Sequence, residues 1–179
     1  MAGTARRTAA SPSAEMKRQA ICGKVRFMEI DEILGRFEKG LGLFLDEQAQ
    51  LLELDVNERA IGAVLAHLYL RPLFPDHRVD AEYNRVGLDG SAKRLNLPAE
   101  CGGENKRVFP DIVVHRRGAN EENILVVEIK MTTNTQARRC DLVKLEAFRE
   151  QLHYQVGVFI DLPAGKDVGK KDVAFTWFR

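Results

Sequence analysis

Val108-Phe109-Pro110-Asp111-Ile112-Val113-Val114, followed beyond a polar connection (Arg117 to Asn123) by Ile124-Leu125-Val126-Val127-Glu128-Ile129-Lys130-Met131, is the stretch on which the reading of this 179-residue chain turns. Both runs are short, rich in β-branched residues and bounded by turn formers, so they read as two strands of a hairpin rather than a broken helix. Alternation sets Ile112 and Val114 on one face and Phe109 and Val113 on the other. In the second run Leu125, Val127 and Ile129 oppose Ile124 and Val126. Strands apolar on both faces belong to a sheet covered on both sides.

Into this hairpin the sequence sets Asp111, Glu128 and Lys130. Burying a charge is costly unless it is paired or binds a metal, so the three ask for a reason. Glu128 and Lys130 share a face. Asp111 joins them only if pairing sets it opposite one of them, and a one-residue slip would send it to the other side. Two carboxylates and an amine at a sheet surface suit Mg²⁺, which is commonly held by one or two carboxylates and completed by waters and phosphate oxygens. Bound metal makes water nucleophilic near neutral pH, and a nearby ammonium can orient that water. Glu-x-Lys alone is weak in a chain that is 30% charged, and a structural ion pair at a strand end is the bland account. Placement on adjacent apolar strands is what favours a site.

Pro110-Asp111 followed by Glu128-Ile129-Lys130 resembles the signature of the PD-(D/E)XK nuclease superfamily, which includes restriction endonucleases and Holliday-junction resolvases. The resemblance spans roughly residues 57 to 162. It implies a restriction endonuclease-like α/β core, a mixed central β-sheet flanked by helices in the order α-β-β-β-α-β, here with a helical N-terminal extension. It also implies metal-dependent hydrolysis of phosphodiester bonds, with DNA as partner. Asp111 and Glu128 would hold Mg²⁺ (Mn²⁺ substituting), with the backbone carbonyl of Ile129 as a further ligand. Lys130 would position the attacking water, and Glu58, on the first core helix, would support the metal. Two readings from other classes stand beside it: a catalytically silent module for nucleic-acid binding or protein assembly, and a purely structural domain with a Lys130 ion pair.

Composition bounds the rest. The chain suits one domain, whose core at this length needs no staples. Lys and Arg number 27 against 26 Asp and Glu, a formal charge of +1, which argues against a wholesale basic nucleic-acid binder and leaves room for a local basic cleft. The candidate cleft cations are Lys93, Arg94, Lys106, Arg138, Arg139 and Lys144. Cys22, Cys101 and Cys140 lack metal-ligand spacing and read as free thiols in a reducing cytoplasm. No apolar run reaches a membrane span, and the start lacks a signal-peptide core.

Residues 1–24 read as a solvated tail bearing Arg6, Arg7, Lys17 and Arg18. Residues 25–56 read as a helical extension, two short amphipathic helices with a break at Gly40 and Gly42, suited to packing or homodimer formation. Residues 57–179 form the core. Asn57 caps a helix from Glu58 to about Leu70 with Ile61, Val64, Leu65 and Leu68 buried. Arg78 to Arg85 is a half-buried strand whose Asp80 and Glu82 face solvent or the metal. A long insertion, Val86 to Lys106, could follow a nucleic-acid backbone. Asp141 is expected to cap a helix with Leu142, Leu145, Phe148 and Leu152 inward and Lys144 and Gln151 on one side, and strands follow at Val156–Leu162 and near Val173–Phe178. His67, His77, His115 and His153 show no metal spacing, though His115 shares strand parity with Asp111.

Overall fold

The structure, a computed structural model, describes residues 28–179. The expected tail with its four cations, the first residues of the extension and Cys22 lie outside the described residues. Strand-forming runs separated by helical periodicity give a five-stranded sheet in the order β1-β2-β3-β4-β5: β1 Arg78–Ala81, β2 Ile112–Arg116, β3 Ala119–Met131, β4 Val156–Leu162 and β5 Ala174–Phe178. β1, β2 and β3 form an antiparallel meander. β4 runs parallel to β3, and β5 returns antiparallel to β4. The parallel step needs a crossover, supplied by helix α3, Arg139–Leu152. The expected α/β architecture with a mixed sheet is present.

The hairpin closes more tightly than expected. β3 begins at Ala119, so the connection is a two-residue turn at Arg117 and Gly118, where Gly118 has φ 79°. The polar residues assigned to a loop are the first part of a long strand, and register shifts between Val114 and Arg116 absorb the mismatch.

Two apolar clusters cover the sheet. On one side Ile61 of α2 (Glu58–Val64), Leu65 just beyond it, and Phe37 and Phe44 of α1 (Ile30–Glu47) pack with Ile112, Val127 and Ile129. On the other, Leu145 and Phe148 of α3 meet Val113, Val126 and Phe159. Asn57 caps α2 as expected, accepting from the Ala60 N–H at 3.0 Å.

Two helical expectations are corrected. α1 runs unbroken through Gly40 and Gly42, ending at Glu47 before a short turn of helix, Ala49–Glu53. Gly40 is buried, and a Cβ there would lie 2.7 Å from Leu70 Cδ2, so the glycine serves close helix packing. Beyond Val64, α2 widens into a π-helical stretch, Leu65–Leu70. The wider turn rotates the buried face to Leu65, Ala66, Tyr69 and Leu70, leaving Leu68 61% exposed.

The long insertion is ordered by two small ladders, Arg85–Val86 with Ser91–Ala92 and Arg94–Leu95 with Lys106–Arg107. A disulfide joins Cys101 to Cys140, tying the insertion to the start of α3. The free-thiol expectation is therefore corrected for this pair. The reducing-compartment argument that rested on it falls with it, because disulfides persist in oxidising surroundings. Among the described residues no helix is long and apolar enough to cross a membrane.

Candidate active site

Ile112 pairs with Val127 and Val113 with Val126, so one step further the register sets Asp111 opposite Glu128. Directly opposed residues of an antiparallel pair share a face, here the face covered by α3. The Asp111 carboxylate accepts from the Ile129 N–H at 2.6 Å. Glu128 is buried, and its Oε1 has no hydrogen-bond partner.

α3 supplies the countercharge. Lys144 Nζ lies 2.8 Å from Glu128 Oε2 and 2.8 Å from Asp141 Oδ1. Asp141 in turn holds Lys130 Nζ at 3.2 Å from Oδ2. Glu128, Lys144, Asp141 and Lys130 thus form one chain of charges between strand and helix. Burial and the facing Asp111 charge push the Glu128 carboxyl up to about 8, against the pull of Lys144. Burial also pushes Asp111 up to about 6, against the Ile129 N–H and Lys144, and the charges of Glu58 and Asp141 add to the rise. For Lys144 burial disfavours the charge, but Glu128 and Asp141 hold the ammonium above the usual lysine range.

Glu58 reaches the same end of the sheet from α2. Its Oε1 accepts from the Met131 N–H and from Asn134 Nδ2, each at 2.9 Å, so it fixes the end of β3. Among the described residues no group of three or more His, Cys, Asp or Glu side chains is gathered to hold a metal ion. The set the strands bring together is two opposed carboxylates, with the Ile129 N–H on Asp111.

Asp141 was expected to cap α3. The helix instead starts at Arg139 with Arg138 as its cap, which places Asp141 in the first turn, where its carboxylate faces both lysines. The i, i+3 spacing of Asp141 and Lys144 beside the buried Leu145 was the available signal for this partnership.

The expected basic rim is only partly there. Lys93 is 1% exposed and is no surface contact. Arg138 binds Asp161 through Nε at 2.6 Å and Nη2 at 3.0 Å. Arg139 pairs with Glu100 at 3.2 Å, and Lys144 is turned inward. Arg94 and Lys106 are exposed.

Asp80 does not face solvent. It is buried, holds His115 Nε2 at 3.0 Å, and accepts from both Nε and Nη2 of Arg117. Burial alone would raise its carboxyl, but these bonds hold it well below the usual carboxylate range. His115 is committed to this contact, and Glu82 pairs with Arg59 at 2.8 Å.

Comparison with family models, curated protein sequences and solved structures found no match to this chain.

Proposed function

We propose that this protein is a metal-dependent phosphodiesterase acting on DNA, built on the restriction endonuclease-like plan of the PD-(D/E)XK nucleases. The observation that carries the reading is Glu128 Oε1, a buried carboxylate oxygen without a partner on a residue opposed to Asp111. Such an oxygen is costly, more so beside a second carboxylate, and a divalent cation relieves both. The meander followed by a helical crossover to a parallel strand supports the same plan.

The residues fit Mg²⁺. Asp111 and Glu128 offer hard anionic oxygens and the Ile129 carbonyl a third, leaving positions for water and phosphate, and Mn²⁺ accepts the same donors. An ion bound there supplies a water of lowered pKa and stabilises charge on phosphate. Lys130 would orient that water while its ammonium donates to Asp141 on the other side. Lys144 releases Glu128 yet keeps Asp141 as partner. Glu58 holds β3 in place through the Met131 N–H.

One observation favours a second reading, a catalytically silent module on the same fold. Lys144 already neutralises Glu128, so the charges close on themselves without a cation. Nicking of mixed duplex, branched and single-stranded DNA with Mg²⁺, Mn²⁺ or chelator separates the two. The parent is expected to cut only with metal, Asp111→Asn to fall to background, and Lys130→Ala to lose about 10²–10⁴-fold. An inactive parent that still binds DNA without metal would sink the enzymatic reading.

A further inference from the structure

The insertion between β1 and β2 ends in a small platform beside the candidate site. Arg94 is paired with Arg107 across the second ladder, and Leu95 with Lys106. From there the chain runs through Phe109 to Asp111. Arg94, Lys106 and Arg107 are exposed. Two of them have neutral partners: Arg94 Nη1 donates to the Asn105 carbonyl at 2.8 Å, and Arg107 Nη2 lies 2.8 Å from Asn84 with that amide's oxygen turned toward it. Among the described residues neither pairs with a carboxylate.

Phe109 is 50% exposed, and the Arg107 guanidinium lies over its ring, 4.9 Å from the centroid. Chain length limits its Cα to within about 7 Å of that of Asp111. The base of the platform is fixed. Leu95 and Val108 are buried, and the Val108 N–H donates to the Lys93 carbonyl at 3.1 Å. The buried Lys93 ammonium donates to the Tyr83 carbonyl at 3.0 Å and lies 4.7 and 5.6 Å from the ring centroids of Tyr83 and Tyr154. A ring held this way is ready to stack with little further ordering.

We infer that this platform takes an unpaired stretch of the nucleic-acid substrate, one base stacking on Phe109 and the flanking phosphates meeting Arg94 and Arg107. The inference rests on the nucleic-acid reading of the adjacent site and narrows it to single strands, flaps or frayed ends. In a continuous duplex the base faces are closed by their neighbours, whereas an unpaired base offers its π-face to an aromatic ring. Two opposed cations on the Phe109 side of the ladder supply local backbone attraction that a chain of formal charge +1 does not supply as a whole.

The test is binding by the full-length, metal-free protein, in chelator, of a labelled DNA strand of about ten nucleotides, its RNA counterpart and the same DNA as a blunt duplex, followed by fluorescence anisotropy. Both strands are expected to bind about tenfold or more tighter than the duplex, and alike, because stacking and phosphate contacts read neither sugar. Phe109→Ala should cost the strands about tenfold and leave the duplex unchanged, with Phe109→Trp restoring affinity. Arg107→Ala should lower the log–log salt slope by about 0.7. Equal affinity for strand and duplex, or strand binding indifferent to Phe109→Ala, overturns the inference. No cleavage is needed for this readout, so an inactive protein that still shows the strand preference would defeat the nuclease reading alone.

Discussion

At Asp111 the buried charge works against folding. The folded protein holds the Asp111 proton more tightly than the unfolded chain does, because its carboxyl is raised to about 6. Ionisation therefore works against folding: the penalty is absent below the usual carboxylate range, grows as pH rises, and is complete above about pH 6. Asp111→Asn is expected to melt higher than the parent in chelator at pH 8 and almost equally near pH 4. Taking the difference between the two proteins cancels the contributions of His77 and His115, whereas Glu128, which loses the facing Asp111 charge, adds to the difference in the same sense. A parent that melts higher at pH 8 would contradict the argument. The two lysines should differ too. Lys144→Ala strips Glu128 of its countercharge and should cost roughly 3–5 kcal/mol in urea denaturation above about pH 8, where Glu128 is ionised. Lys130→Ala leaves Asp141 with Lys144 and should cost roughly 1–2 kcal/mol; the reverse ranking would refute this network. At this scale strand parity allowed the opposition of Asp111 and Glu128 without forcing it, and the pairing register decided it. The inward turn of Lys144 and the burial of Lys93 were not legible, because both depend on which element packs above the sheet.

Among the elements, glycine was the most misleading residue type. Gly40 and Gly42 read as a helix break, since glycine is a poor helix former. Gly40 is needed because α1 approaches Leu70, whereas Gly42 has nothing within 4 Å of an added Cβ. Gly40→Ala should therefore destabilise by about 1–3 kcal/mol, while Gly42→Ala should stabilise by about 0.5–1 kcal/mol. Chemical denaturation of the two variants checks both signs. The π-helical widening after Val64 likewise left no periodic mark: Leu68 keeps α-helical spacing with Ile61 and Leu65 but points outward. Strands were read more securely, and Val156–Leu162 matches residue for residue. Their β-branched runs admit few alternatives.

For the molecule as a whole, the alternation of helices and doubly covered strands was enough to give a layered α/β domain. The pairing of Cys101 with Cys140 could not be read, since their separation of 39 positions spans the whole hairpin and only the assembled sheet brings them together. That separation also encloses β2 and β3, and with them Asp111, Glu128 and Lys130, in a covalent ring. Closing a loop of this length restricts the unfolded chain by about 4 kcal/mol in the chain-entropy account. Reduction should lower the unfolding free energy by about that much, and an unchanged urea midpoint would argue against the bond. The ring also has a topological consequence. A protease that cuts once between Cys101 and Cys140 leaves a single molecule in a non-reducing gel, which separates into two fragments only when a thiol is added.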